Sequence, residues 1–257
     1  MFKTRSTKLE RIDTGDYTPE EYERFLREIA FINRYFGDRR ALEKTLFIDI
    51  AREWQTNRQK PALQKPARSK GIPQNAIESE RAFSVLDVGC GSGELLRYIA
   101  EFARRNGKQA KIIGIDLNEI STSVTATKSS QFYEISAVRG DAFKLPFADN
   151  TFDYAISSLF FHHLTDEQIP QALNEMSRVA SRGIYVIDLH RHPMAYVLYK
   201  VFCVVFRISP LVRHDVSLSI LRGFRPGEIN TLLKSRDLRV IKINRITPFR
   251  IVFNGLM

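Results

Sequence analysis

Polar and apolar positions along the chain change rhythm twice, dividing it into three parts. In the first part Tyr22, Phe25, Leu26, Ile29, Ile32 and Phe36 recur at helical spacing and place one apolar stripe on a helix. Thr18-Pro19-Glu20-Glu21 opens that helix: Thr18 as N-cap, Pro19 at the first helical position, Glu21 closing a capping box. Gly37-Asp38 stops it, and a second amphipathic stretch is expected from Arg39 to about Trp54. Residues 55–81 are polar and basic, carry three prolines and show no apolar period, so they read as a flexible linker or loop. From residue 82 short apolar runs alternate with helical patterns. Phe83–Val88, Lys111–Asp116, Phe132–Val138, Phe152–Ser157 and Gly183–Asp188 read as buried strands. Gly93–Asn106, Glu119–Ser129 and Asp166–Val179 read as the helices between them. That alternation means βαβ units and a parallel sheet. Arg225-Pro226-Gly227-Glu228 opens a late helix, and Leu238–Asn244 and Pro248–Phe253 form a closing hairpin. The expected organisation is an N-terminal helical cap (1–54), a basic linker (55–81) and an α/β domain (82–257) whose parallel sheet ends in an antiparallel pair.

Composition changes this picture little. The 257 residues are 44% hydrophobic and 26% charged, ordinary for a globular protein. The net charge of +10 raises the question of an anionic partner. Arg52, Arg58, Lys60, Lys65, Arg68 and Lys70 crowd the linker, with more cations between Lys234 and Arg245. The linker cations sit among Pro, Gln and Ser with no aromatic residue after Trp54, which suits a solvated tether better than a nucleic-acid groove. A weak attraction to anionic membrane surfaces stays open. Cys90 and Cys203 stand far apart without a metal-ligand partner, as expected of a reducing, cytoplasmic setting. The N-terminus has no apolar signal core, and Lys200 and Arg207 interrupt the most apolar run, Met194 to Val212.

Ligands of an open α/β sheet bind beyond the carboxyl ends of its strands. The first strand ends in Asp87-Val88-Gly89-Cys90-Gly91-Ser92-Gly93, whose alternate glycines let the backbone turn sharply and approach a ligand closely. Glu94 stands where a dinucleotide fingerprint would need its last glycine. The second strand ends in Asp116, a carboxylate suited to ribose hydroxyls. The third is followed by Gly140-Asp141-Ala142, suited to an adenine ring.

This series, V-L-D-V-G-C-G-S-G, then G-I-D, then G-D-A…L-P-F…D-N-T-F-D-Y-A, resembles the class I S-adenosylmethionine (SAM)-dependent methyltransferases over residues 82–190. The likeness is greatest to the small-molecule branch that includes ubiquinone and menaquinone methyltransferases. The resemblance implies a Rossmann-like, seven-stranded, mostly parallel sheet with an antiparallel last strand, and SAM as cofactor. It places Asp87 and Gly89 near the methionine moiety, has Gly91 and Gly93 shape the turn, and puts Asp116 on ribose and Asp141 with Ala142 on adenine. Cys90, Leu117 and Ser158 complete the expected cofactor set.

The fourth strand ends in Ser158-Leu159-Phe160-Phe161-His162-His163, where that family puts the face between cofactor and acceptor. An oxygen or activated carbon acceptor must lose a proton, and histidine suits that near neutral pH. His162 and His163 are therefore candidate bases, or else structural residues at a helix start; His190, after the fifth strand, is a further candidate. Metal assistance is not expected, since no extra Asp/Asn pair follows strands four or five. The insertion Met194–Phe206 is too apolar for a surface helix. It is expected to pack on the sheet and N-terminal helices and to serve as a lid over a lipophilic acceptor that touches a membrane. Methylation of a lipophilic small molecule, phenolic, quinone-like or polyketide-like, on oxygen or carbon is the leading reading. An RNA or protein methyltransferase and a non-catalytic SAM-binding module are the alternatives.

Overall fold

The computed structural model describes residues 2–59, 83–233 and 241–256. Its centre is a seven-stranded sheet in the order β3-β2-β1-β4-β5-β7-β6. The strands are β1 (Phe83–Val88), β2 (Ala110–Asp116), β3 (Ile135–Arg139), β4 (Phe152–Ser158), β5 (Ala180–Leu189), β6 (Ile241–Ile246) and β7 (Arg250–Leu256). The first five pair in parallel, and β7 runs antiparallel to both β5 and β6. The strand order reverses at β1, whose neighbours are β2 and β4, and a crevice opens there beyond the strand ends.

Alternate residues along each strand feed two cores. Val85, Ile112, Tyr154, Ile156, Tyr185 and Ile187 face one way. They meet α3 (Asp38–Lys44), α4 (Leu46–Gln59) and α5 (Glu94–Arg105) through Leu42, Leu46, Ile50, Leu96 and Ile99. Leu86, Val88, Ala155, Ile184, Val186 and Phe253 face the other way, toward α7 (Gln168–Val179) and α10 (Pro226–Leu233). The period of two along the strands thus fixes which helix each side chain meets.

A third core lies beyond the strand ends. It joins α2 (Pro19–Phe36) to α8 (Pro193–Val205) and α9 (Pro210–Arg222) through Phe25, Leu26, Ile32, Tyr199, Leu211 and Ile220. The expected Thr18–Glu21 capping box opens α2, with Pro19 at its start. A short helix, α1 (Arg11–Thr14), precedes it, and α6 (Glu119–Lys128) connects β2 to β3.

Four details depart from the sequence reading. The second amphipathic stretch breaks at Thr45 into α3 and α4, and α4 continues to Gln59, so the proposed linker begins inside a helix. Residues 60–81 of that segment, and Leu238 to Val240 of the expected hairpin, lie outside the described residues. The helix α9 fills a segment to which no element was assigned. The apolar insertion is a surface helix after all: Ala195, Tyr199 and Cys203 of α8 are buried, whereas Val197, Val201, Val204 and Val205 are more than half exposed. Among the described residues no helix is long and apolar enough to cross a membrane.

An N-terminal arm, residues 2–13, crosses over β5 and α9 and is fastened by arginines. Arg191, fully buried, donates to the carbonyls of Phe2 (3.0 Å) and Gly223 (2.6 Å) and pairs with Glu228. Arg5 donates to the carbonyls of Arg222 (3.0 Å) and Leu164 (2.9 Å). Asp215, also buried, accepts from the backbone N–H groups of Arg11 and Ile12 at 3.1 Å each and so caps α1 from across the chain.

Candidate active site

A cavity of about 990 Å³ lies between the strand ends and the N-terminal helices. That lies at the upper end of the range for small-molecule pockets, about 300–1,000 Å³. One end is built by the β1 turn and the end of β2. Gly89, Gly91 and Gly93 all have positive φ (77°, 54° and 69°), which only glycine adopts cheaply. At Gly91 an added Cβ would meet nothing within 4 Å, because the position faces the open cavity. At Gly89 it would meet the Phe160 ring at 2.9 Å.

Asp116 braces this end. Its carboxylate accepts from Gly91 N–H and Asn118 N–H, each at 2.9 Å. Burial raises its pKa, although those two N–H groups pull it back. Asp87 is more deeply buried, and its Oδ1 has no hydrogen-bond partner. Burial, with the Asp116 charge in second place, pushes its carboxyl up to about 7. A glycine cradle open to the cavity, an orphaned carboxylate oxygen and an acid at the next strand end fit a cationic nucleoside such as SAM. Tyr17 and Tyr22, stacked with ring centroids 4.8 Å apart, close over this end. Tyr17 accepts from the Asn118 side chain and Tyr22 bonds Ser121, each at 3.0 Å.

The other end is apolar, lined by Phe25, Leu26, Ile32, Ala195, Tyr199 and Ile220. Between the two ends stand His162 and His163, on a 3-10 turn that follows β4. Leu159, at the head of that turn, has φ 53°, a left-handed conformation uncommon for a leucine. His162 is fastened to Asp188 at the end of β5: its Nδ1 lies 2.7 Å from Oδ1 and its backbone N–H donates to Oδ2 at 3.1 Å. Burial alone would raise the Asp188 carboxyl, but the charge and hydrogen bond of His162 outweigh it and hold it below the usual range. In the neutral ring with Nδ1–H donating to Asp188, Nε2 is the nitrogen that carries the lone pair. That nitrogen faces Glu10 of the arm, 3.8 Å away. His163 Nδ1 lies 2.7 Å from Asp13 Oδ1. Burial would raise Asp13 too, yet the bond and charge of His163 hold it well below the usual range. Arg222 locks the turn from beneath, donating to the carbonyls of His162 (2.9 Å) and His163 (2.6 Å) and to Asp13 (2.5 Å). Glu10 has its carboxyl raised to about 7, chiefly by burial.

The cavity therefore gathers Asp87, Gly89, Cys90, Gly91, Asp116, Leu117, Ser158, His162 and His163. Gly93 stands behind it, against Thr125, where it shapes the turn. Asp141 and Ala142 do not line it. The Asp141 carboxylate turns back to accept from Phe143 N–H at 2.9 Å, and Arg139 lines the cavity on that side. His190 is outside it as well, with its ring beside His192 at 5.8 Å. Glu10, Asp13, Asp188 and the two tyrosines were not anticipated. Asp188 was open to discovery by reading strand ends; nothing in the sequence points from Glu10 to residue 162.

Known proteins agree with this geometry. Residues 85–183 match a family model described as a methyltransferase domain. The chain is 33% identical over 142 residues to a 2-phytyl-1,4-naphtoquinone methyltransferase of Thermosynechococcus vestitus, covering 54% of this chain and 60% of that protein. It is 33% identical over 139 residues to a demethylmenaquinone methyltransferase of Shouchella clausii, covering 52% and 57%. The chain thus spans under two thirds of the length of these relatives. A SAM-dependent methyltransferase structure from Aquifex aeolicus shares the fold, with TM-score 0.50 and 19% identity over 71% of this chain and 86% of that one. Over residues 85–183 the chain thus matches a methyltransferase domain, and about half of its length resembles methyltransferases that act on quinones.

Proposed function

We propose that the protein transfers a methyl group from SAM to an oxygen or carbon of a lipophilic small molecule of phenolic, quinone-like or polyketide-like character. The observation that carries this reading is one continuous cavity, glycine-cradled and acidic at the β1–β2 end and apolar at the α2–α8–α9 end. SAM supplies an electrophilic methyl on a sulfonium. This chain's residues hold and orient the two reactants and keep water out. Asp116 receives the ribose, Asp87 and the glycine turn receive the methionine end, and Tyr17 and Tyr22 cover the nucleoside. His162 and His163 meet the acidic group of the acceptor, each kept in one orientation by its carboxylate partner. Residues 83 onward form the catalytic domain, and helices α1 and α2 are its lid.

Lipophilic acceptors dissolve in membranes, and α8 fits such a surface. Met194, Val197, Leu198, Val201, Val204 and Val205 are exposed along it, next to Lys200 and Arg207. An apolar helix face flanked by cations suits the interface of an anionic bilayer. The buried side of the same helix lines the cavity through Ala195 and Tyr199, giving the acceptor a short way in. The two cysteines are free and buried, which supports placing the protein in the reducing cytoplasm, on the inner membrane face.

Incubation with labelled SAM and a panel of phenols and quinone precursors tests the reading. Label is expected in an apolar, phenol-bearing acceptor. No binding of SAM or S-adenosylhomocysteine by calorimetry would overturn it.

A further inference from the structure

We infer that Glu10, His162 and His163 form a binding site for a divalent transition-metal ion of the zinc class. One donor atom from each can be chosen so that all three lie within 4.8 Å of one another. The arrangement calls for a positive centre. Glu10 is 1% exposed, and its Oε1 is buried without a hydrogen-bond partner. It faces His162 Nε2 at 3.8 Å, too far for a hydrogen bond. His163 Nδ1 lies 4.0 Å from the same oxygen. Two donors each about 2.1 Å from one tetrahedral ion are about 3.4 Å apart, so these side chains would close by a few tenths of an ångström around a shared cation.

The surroundings are those of an oriented metal site. Asp188 backs His162 at 2.7 Å through the nitrogen that does not face Glu10, the carboxylate–histidine pairing that fixes a ligand ring and raises its basicity, whereas His163 Nδ1 would exchange its 2.7 Å contact with Asp13 for the ion. The remaining oxygen of Glu10 accepts from Ser219 at 2.9 Å, which anchors the carboxylate and leaves Oε1 turned to the histidines. Two imidazoles and one carboxylate suit zinc, cobalt, iron or manganese better than magnesium or calcium. Both histidines line the cavity, so a bound ion keeps an open side toward the acceptor. There it would lower the pKa of an acceptor hydroxyl, with the histidines serving as ligands and not as bases. Only this last use rests on the proposed methyl-transfer reading; the ion site stands by itself. A search for metal ligands confined to strands four and five overlooks it, because the carboxylate comes from residue 10.

The test uses the full chain, stripped with a chelator, loaded with Zn2+ or Co2+ alone, desalted and analysed for metal. One ion per chain is expected, with Co2+ giving the visible absorption of a low-coordinate nitrogen–oxygen site. Glu10→Gln, nearly the same size, and His163→Ala, at a partly exposed position, should each lose the retained ion. Asp188→Asn should weaken binding by about 10- to 100-fold. His214→Ala, beyond the cluster, should bind as the parent does. Melting curves identify folded variants, and His163→Ala serves if Glu10→Gln does not fold. A stripped chain that retains no Zn2+ or Co2+, or folded Glu10→Gln and His163→Ala chains that retain both ions fully, would overturn the assignment. Neither SAM nor acceptor enters the assay, so its failure leaves the methyltransferase reading untouched.

Discussion

Glu10 and His162, 152 positions apart in the chain, face each other across 3.8 Å at the wall of the cavity. The relationship joins an arm with no regular repeat to the end of the fourth strand. It places the chemistry of the site at the junction of the conventional sheet and the appended helices.

Asp116 is the first position to probe. Asp116→Ala removes the acceptor of two backbone N–H bonds and the carboxylate proposed to receive the ribose. Hydrogen bonds to charged groups contribute about 1.5–3 kcal/mol each. S-adenosylhomocysteine affinity is expected to fall by at least about 100-fold, which calorimetry would show; an unchanged dissociation constant would remove Asp116 from the cofactor site.

Asp87 gives a pH signature. Its folded-state pKa of about 7 lies above the ordinary carboxylate value. Folding therefore takes up a proton between about pH 4 and pH 7, and this contribution to stability is lost as pH rises through that window. Asp87→Asn should flatten the decline, so that the variant gains on the parent in denaturant melts at pH 8 relative to pH 5. A cationic cofactor favours the ionised carboxyl, so SAM should bind more tightly at pH 8 than at pH 6 and release a proton. Titrations in buffers of different ionisation enthalpy measure that release.

Asp38 and Arg250 form a buried ion pair, each 2% exposed, that ties the start of α3 to β7 beside the cavity. Removing one partner strands the other charge in a dry setting. Asp38→Ala is expected to cost about 3–5 kcal/mol in chemical denaturation, whereas Asp38→Ala with Arg250→Met should recover much of it. If the single and double variants are equally unstable, the pair does not act as a unit.

The outer face of α8 is separable from the fold. Val201→Glu together with Val204→Glu alters exposed positions, so the melting point should move little. Binding to vesicles containing anionic lipid should drop several-fold in sedimentation, and more steeply as salt is raised. Equal sedimentation of parent and variant would show that the bilayer is met elsewhere or not at all.

Turnover should separate the histidines from the cofactor residues. His162→Ala and His163→Ala are expected to bind S-adenosylhomocysteine as the parent does and to lower kcat by about 100-fold or more. Asp188→Asn, which disturbs the orientation of His162, should fall between. Full activity in both histidine variants would exclude them from the reaction.

Much of the sheet was legible because its determinants are local. The β1 turn announces itself through Gly89, Gly91 and Gly93, and Asp116 ends a short apolar run, so strand-end reading reaches both. Thr18 and Glu21 are three residues apart, and their reciprocal bonds are written in the sequence. The acceptor side was not legible for the opposite reason. Glu10 and Asp13 belong to a polar arm without period, and their partners lie some 150 to 210 residues away. Asp141, an acid after the end of β3, stands outside the cavity lining with its carboxylate on the Phe143 N–H, a local use that the sequence does not announce. The exposure of α8 depends on what packs against it, which its own composition does not disclose.

The fastening of the arm carries a consequence for how the site comes into being. Arg5 reaches Arg222, and Arg191 reaches Phe2, so this wall of the cavity exists only after segments 217 and 189 residues apart have met. Loops that long close late, after the sheet and its nearest helices have gathered their own contacts. The glycine-cradled end of the cavity is thus built from local contacts and the arm-side wall from distant ones. Any agent that unhooks the arm should open that wall and leave the β1–β2 end of the cavity standing by itself.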